Sequence, residues 1–336
     1  MIFLSGSGEV NSKICREIRR QAFGRHLRPS FEMLSASRGG RAAALLLLVG
    51  MAERSFLGAD AQKWGDVSTL WTAGDLDSLW SVSIKHDDSA AATIRWRSPT
   101  GPYSITVLDL QGATISERTL VGPTSAAFDD GSATFAKFNA PMGLSYSHDG
   151  KWLAVADKNN HCIRRVDTET GNVETLAGSP PPYSQQGYRD GPSASARFRN
   201  PTSVAFVPAG PGSGRGSSWL VVGDSGNNVI RKINLLASSL EVTTLAGVQH
   251  DNNAPHPQGW MWNDGPASEA VFYLGEPAGL AVDPQKDAAG NVRVLVADEF
   301  NDAVREIVVG SESNTGVSVR TVVGYLCQVI RVHTFA

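Results

Sequence analysis

Twelve residues, Val155–Val166, bring together a carboxylate (Asp157), an imidazole (His161), a thiol (Cys162) and two guanidinium groups (Arg164 and Arg165). An acid, an imidazole and a thiol this close would suit a nucleophile with its base, or a set of metal ligands. The rest of the chain gives the stretch another meaning. Its pattern recurs at Val222–Ile233 and again at Val296–Ile307. The acid returns as Asp224 and Asp298 and the first arginine as Arg231 and Arg305, whereas the imidazole and the thiol do not return. The Asp and the Arg therefore belong to a repeated scaffold, and His161 and Cys162 are local to one copy.

Each copy reads as a strand ending in Asp, a short polar turn, and a second strand with Arg near its start. From residue 123 onward the surrounding elements repeat too. Lead-ins run from Asp130-Gly131 to Phe138, from Asp190-Gly191 to Phe198 and from Asp264-Gly265 to Phe272. Pro141, Pro201 and Pro277 then mark the entry to a first strand, where φ is preset and no ladder donor is needed. Closing strands end each unit at Gly178, Gly247 and Gly324, and Thr119–Gly122 is the same ending one unit earlier. The intervals between these glycines are 56, 69 and 77 residues. A period that drifts this far fits a fixed four-strand unit with loops of variable length, as in propeller blades. The insertions at 179–189, 209–218, 248–263 and 285–291 are rich in Gly, Pro, Ser, Gln and Asn and are expected as surface loops.

Residues 62–122 are β-like but irregular, with strands predicted at Leu79–Lys85, Ala92–Arg97, Ser104–Leu110 and Ser116–Val121; they are expected as a degenerate blade. Residues 123–324 hold three clear blades, and 325–336 match no part of the unit. The fold class is all-β, a β-propeller of four-stranded blades. An incomplete ring would expose blade faces and favour self-association.

The repeat Val-Ala-Asp, polar turn with Asn, Ile-Arg-Arg/Lys resembles the NHL repeat of β-propeller proteins. The first copy matches best, with Asn160-His161; the second has Asn227-Asn228 and the third Asn301-Asp302, so the histidine of the family pattern is replaced twice. The resemblance covers 123–324 well and 79–122 weakly. It implies about six blades, within the four to eight usual for propellers, so three clear blades and one degenerate one fall short of a full ring. It says little about activity, because this fold hosts unrelated functions.

Candidate binding residues lie on the face that carries the turns: Asp157, Asn160, His161, Asp224, Asn227, Asp298 and Asn301. Short polar side chains there either bond their own backbone or form a ring of acceptors for a cation or polar ligand. Trp260 and Trp262, in a loop rich in Pro, Asn and Gly, either make a platform for a sugar or peptide or fold back onto the face. Phe138, Phe198 and Phe272 are expected as wedges between blades, and Arg164, Arg231 and Arg305 as bridges to an Asp or a carbonyl. No metal spacing links His86, His148, His161, His250 and His256, so no cofactor is expected, and Ca²⁺, though possible for a propeller, has no support in spacing. No Ser/His/Asp elbow or phosphate loop occurs; Gly210–Gly216 lacks the lysine and reads as a hairpin loop.

The chain has 336 residues, 41% apolar and 19% charged, enough for a buried core. Its net charge is −3, but residues 1–41 hold eight Lys/Arg against three Glu, which leaves −8 on the remainder. An acidic propeller argues against nucleic acid as partner. Cys15, Cys162 and Cys327 are isolated and expected inert. Residues 1–61 form a basic region with an apolar run at 42–52, too short for the roughly 20 residues of a membrane span. The run suits a secretory signal with Ala59-Asp60-Ala61 as cleavage site and Met33 as a natural start; a transit peptide for an organelle, an uncleaved anchor and a short core helix are the alternatives. Secretion or an endomembrane lumen is the expected location, an organelle the alternative. The leading functional expectation is a non-catalytic scaffold that binds protein or glycan through its loop-rich face. The alternative is a propeller enzyme of the metal-assisted lactonase, hydrolase or lyase type.

Overall fold

The computed structural model describes residues 79–323, apart from 86, 97–101, 112–115, 180–185, 208–218, 237–239, 251–262, 277, 284–289 and 311–315. The apolar run at 42–52, the tail at 325–336, Gly210–Gly216, Trp260, Trp262 and Pro277 lie outside the described residues.

The described chain is all-β and forms four antiparallel sheets in a propeller-like arrangement. Blade I is β1 (Leu79–Ile84), β2 (Ala90–Trp96), β3 (Tyr103–Asp109) and β4 (Ser116–Thr124). Blade II is β5 (Pro141–Tyr146), β6 (Trp152–Asp157), β7 (Cys162–Asp167) and β8 (Val173–Gly178). A two-residue strand, β9 (Gly191–Pro192), precedes β10 (Pro201–Val207), β11 (Trp219–Asp224), β12 (Val229–Asn234) and β13 (Glu241–Ala246) of blade III. Blade IV has β14 (Gly265–Pro266), β15 (Leu280–Val282), β16 (Val292–Asp298), β17 (Ala303–Val309) and β18 (Ser318–Val323). The first strand of each blade is innermost, and β1, β5, β10 and β15 follow one another in contact.

The lead-ins take an unexpected path. Each returns to the outer edge of its own blade before entering the inner strand: β9 pairs with β13, β14 with β18, and Gly131 bridges Val173. The Asp-Gly glycines Gly131, Gly191 and Gly265 adopt φ of 130°, 126° and 130° there, a region that favours glycine. The outer strands share a second irregularity. Opposite β3, β7, β12 and β17, one residue of the outer strand is bulged: Leu120, Leu176, Leu245 and Val322. A bulge bends the strand and re-aims its side chains. Leu120, Leu176 and Leu245 thereby enter the cores between blades.

Those cores explain the repeated aromatics. Phe138 lies among Ile94, Ile105 and Leu120 of blade I and Leu144, Leu153 and Val155 of blade II. Phe198 joins blades II and III, and Phe272 joins blades III and IV. All three are at most 1% exposed, and burying each contributes about 1.5–3 kcal/mol. Alongside each stands an alanine two residues earlier, Ala136, Ala196 or Ala270, completely buried. Serine hydroxyls add polar stitches between inner strands. Ser81 and Ser83 accept the Leu144 and Tyr146 amides at 3.2 and 3.1 Å, and Ser145 accepts the Phe206 amide at 3.3 Å. These amides point away from the ladder partner, so the hydroxyls satisfy an edge that would otherwise stay open.

Candidate functional site

The turn between the second and third strands of blades II, III and IV is a single 3₁₀ turn: Lys158–Asn160, Ser225–Asn227 and Glu299–Asn301. Each closes on a residue in left-handed geometry, His161, Asn228 or Asp302, at φ of 53°, 56° and 50°. The lead-in crosses over the turn. In blade II, Asn139 donates its amide to Asp157 Oδ1 at 2.8 Å, and its carbonyl accepts the Asn159 amide at 3.0 Å. Arg199 with Asp224 and Gly226, and Tyr273 with Asp298 and Phe300, repeat the arrangement.

Beneath the turn a guanidinium clamp is built three times. Arg164 donates to Asp157 Oδ2 (2.9 Å), to Asp130 Oδ1 (2.6 Å) and to the carbonyls of Lys137 (3.0 Å) and Asp129 (2.8 Å). Arg231 donates to Asp224 (2.9 Å), Asp190 (2.5 Å) and the carbonyls of Arg197 and Arg189. Arg305 donates to Asp298 (3.0 Å), Asp264 (2.8 Å) and the carbonyls of Val271 and Asn263. Aromatic rings cover the guanidinium planes: Phe128 and Phe138 at 4.5 and 5.1 Å from Arg164, Tyr188 and Phe198 at 5.0 and 5.1 Å from Arg231, and Phe272 at 5.1 Å from Arg305. The three arginines have no exposed surface, and a planar delocalised cation is the side chain suited to such a slot. The lead-in acids also hold the closing strand, since Asp130, Asp190 and Asp264 accept the amides of Thr175, Thr244 and Thr321.

This geometry redefines the expected binding residues. Asp157, Asp224 and Asp298 are fully buried, and each carboxylate accepts an arginine, an asparagine and a lead-in amide. Asn160, Asn227 and Asn301 are buried and spend their side-chain amides on those acids. A ring of acceptors open to a ligand is therefore not what these six residues form; the returning lead-in consumes them. Burial pushes the Asp157 and Asp224 carboxyls up to about 6 against the pull of their arginines, and it raises Asp298 as well. Burial also drives the Cys162 thiol well above its usual range, with Asp157 adding to the rise, so no reactive thiolate is available there. His161 accepts the Asn200 amide on Nδ1 at 3.1 Å, and burial, then Arg199 and Lys158, keeps its pKa below 6.5. The ring is thus a neutral acceptor that joins blade II to blade III. Asn228 does the same one blade on, accepting the Leu274 amide at 2.8 Å.

What remains on this face are the positions at which the copies differ. The first turn residue is Lys158, Ser225 or Glu299, and the second is Asn159, Gly226 or Phe300. Lys158 reaches past blade III to Glu276 of blade IV at 2.6 Å; both are partly exposed, so the pair adds little stability. Thr202 and Ser225 share a hydroxyl contact at 2.5 Å while Thr202 accepts the Ala278 amide. On blade IV, Phe300 is 46% exposed; its ring lies 4.7 Å from that of Tyr273, which stacks on His250 at 6.1 Å. Among the described residues no group of three or more His, Cys, Asp or Glu is placed to hold a metal ion, and no helix is long and apolar enough to cross a membrane.

Sequence reasoning marked Asp130, Asp190 and Asp264 as the start of each lead-in but gave them no place in the clamp, and it assigned no role to the threonines Thr175, Thr244 and Thr321 or to the aromatics Phe128 and Tyr188. Their signal was present, because each stands at a constant offset within the repeat.

No family model matches the chain. Over 181 residues, 54% of its length, it is 26% identical to Protein SUPPRESSOR OF QUENCHING 1, chloroplastic, of Arabidopsis thaliana, of which the match spans 15%. Among solved structures it is similar to an auxiliary nutrient binding protein from Bacteroides ovatus, at 20% identity and a TM-score of 0.45, over 68% of this chain and 47% of that one. It is also similar to the Cps50 (Swd1) β-propeller domain of Myceliophteria thermophila, at 12% identity and a TM-score of 0.39, over 74% of this chain and 56% of that one.

Proposed function

We propose that the chain is a non-catalytic, NHL-type propeller scaffold that binds a protein or glycan on the face carrying the turns and lead-ins. One observation carries this reading. The polar groups common to all three copies are spent inside the clamps, while the side chains left at the surface are those that differ: Lys158, Asn159, Glu276 and the Phe300–Tyr273–His250 stack. A face made individual by a few exposed side chains over an invariant frame is what selective binding needs. An enzyme of the metal-assisted hydrolase type is the competing reading and would need several acids turned toward a shared metal.

The test is binding of the purified chain to peptide and glycan arrays. Asn159→Trp, which crowds this face, should abolish the signal, and Glu169→Trp, in the loop at the other end of blade II, should leave it intact. Equal loss from both variants, or Ca²⁺-dependent turnover of lactone or ester substrates, would overturn the scaffold reading. For location, the word chloroplastic in the name of the Arabidopsis relative favours organelle transit over secretion for the basic region 1–61. A fluorescent fusion to these residues, followed with and without 42–52, decides between them.

A further inference from the structure

Each lead-in passes the preceding blade on its way to the inner strand and gives that blade one backbone amide. Three different side chains take it at the three seams. Between blades I and II the Tyr103 hydroxyl takes the Ala140 amide. Between blades II and III His161 Nδ1 takes the Asn200 amide at 3.1 Å, and between blades III and IV Asn228 Oδ1 takes the Leu274 amide at 2.8 Å. Ala140, Asn200 and Leu274 each stand two residues after the wedge phenylalanine of their lead-in. The donor position is thus common to the seams, and the acceptor is not. A phenol and a carboxamide keep their acceptor oxygens from neutral to mildly acidic pH, whereas an imidazole loses its acceptor nitrogen there.

From this we infer that His161 is an acid-operated latch on the seam between blades II and III. In the neutral ring Nδ1 accepts and Nε2 carries the proton. A proton added at Nδ1 turns the acceptor into a donor facing another donor, and the Asn200 amide is released. Asn200 is held at φ of 48°, a left-handed backbone that relies on its surroundings, so release frees it to turn. Arg199, just before it, donates its amide to Asp224 and accepts the Gly226 amide; the freed corner therefore adjoins the strap over the blade III turn. Two cations bear on the ring: Arg199 on the arriving lead-in, and Lys158 on its own turn, paired with Glu276. The outer strand β8 meets this corner at Gly178, which carries no charge, close to the His161 carbonyl. Burial first, then these two cations, holds the ring's pKa below 6.5. The link is therefore whole above pH 6.5 and lost as pH falls through the lower folded value, opposite in direction to Asp157 and Asp224. His250, beside Asn228, bonds the Phe272 carbonyl through Nε2, a contact that a protonated ring still makes. The latch works whether or not the face binds a partner.

Hydrogen exchange of single amides in the full chain, measured at about pH 7.5 and about pH 5 and corrected for the intrinsic rate, tests the latch. Protection of the Asn200 amide should fall by roughly tenfold on acidification, while that of Ala140 holds to within about threefold. His161→Asn copies the neighbouring seam, where Asn228 stands in the same left-handed position, at φ of 56° against 53°. This variant should keep Asn200 protected at both pH values. Ring-nitrogen shifts in the histidine-labelled chain, with the His161 signal identified by its absence from the variant, should show the proton on Nε2 and a midpoint below 6.5. The comparison of Asn200 with Ala140 uses the wild type and stands even where His161→Asn folds poorly. Asn200 protection that ignores pH, an equal fall at Ala140, or an equal fall at Asn200 in His161→Asn would overturn the inference. So would a His161 midpoint above 6.5 or a proton already on Nδ1 at neutral pH.

Discussion

Replacing Arg231 by Met tests whether the clamps hold the blades together. The side chain donates four hydrogen bonds, to Asp224, Asp190, Arg197 O and Arg189 O, and lies between the rings of Tyr188 and Phe198. Methionine keeps part of the packing and none of the donors. Asp190, whose side chain is 41% exposed, rehydrates and costs little. Asp224 has no exposure and becomes a buried carboxylate supported only by Asn227 and the Arg199 amide. Breaking a buried pair from one side costs about 3–5 kcal/mol. With two carbonyls losing donors, the total comes to about 4–6 kcal/mol, a large share of an ordinary domain's stability. The double variant Arg231→Met/Asp224→Leu removes the orphaned charge, so its loss should fall short of the sum of the single losses by about 2–3 kcal/mol. Urea unfolding of the wild type, both single variants and the double variant, followed by far-ultraviolet circular dichroism, measures this cycle. A loss below about 1 kcal/mol for Arg231→Met, or strict additivity, would refute the clamp as the element that ties lead-in to blade.

Three further outcomes are expected. Phe198→Ala should cost about 3–5 kcal/mol, because the ring is fully buried in the core between blades II and III; an unchanged thermal melt contradicts the wedge. Gly178→Ala should cost about 1–3 kcal/mol, since Gly178 has φ of 110° and a Cβ there would lie 2.8 Å from that of Cys162; urea unfolding reads it, and a neutral or stabilising result removes the reasoning. For pH, the folded carboxyls of Asp157 and Asp224 sit at about 6 against an ordinary 3.8, so the folded chain takes up these protons first. Their contribution is fully present below about pH 3.8 and lost as pH rises through about 6. Acidifying from about pH 7 to 5 should therefore raise the urea midpoint through these groups, and Asp224→Asn should shrink the rise; a rise of unchanged size contradicts the assignment.

The strands of the first blade were legible from alternation and turn residues alone: predicted at Leu79–Lys85 and Ser104–Leu110, they form at Leu79–Ile84 and Tyr103–Asp109. The place of the Phe and Arg side chains could be read from repetition. The fate of the turn residues could not. Asp157 lies 18 residues from the Asn139 amide and Arg164 lies 34 from Asp130, and only the backward path of the lead-in brings them together. Period and composition carry no sign of that path. The bulges that bury Leu176 and Leu245 are equally silent, because a one-residue register shift leaves no pattern of its own. The aromatic stack of Phe300 and Tyr273 escaped because it occurs once, and a search built on recurrence passes over what is single. Trp262, expected in a ligand platform, stands two residues before Asp264, as Phe128 stands before Asp130 and Tyr188 before Asp190.

The returning lead-in also sets a timetable for folding. Within a blade, the clamp joins residues 7 to 57 apart in sequence; between blades, the turn residues reach amides 39 and 46 residues away and the serine stitches join residues 61 and 63 apart. Closing the shorter loops loses less chain entropy. A lead-in emerging from the ribosome meets the preceding blade first, where Phe138 or Phe198 packs and where Gly178 donates its amide to the Ser193 carbonyl; its own clamp closes only with the outer strand, because Asp130 must reach Thr175 and Asp190 must reach Thr244. Each blade is then sealed by its last strand and offers the next one a finished wall. Because each unit contacts its neighbours in sequence, a broken clamp at Arg231 should slow the closing of blade III and leave blade II to close on schedule.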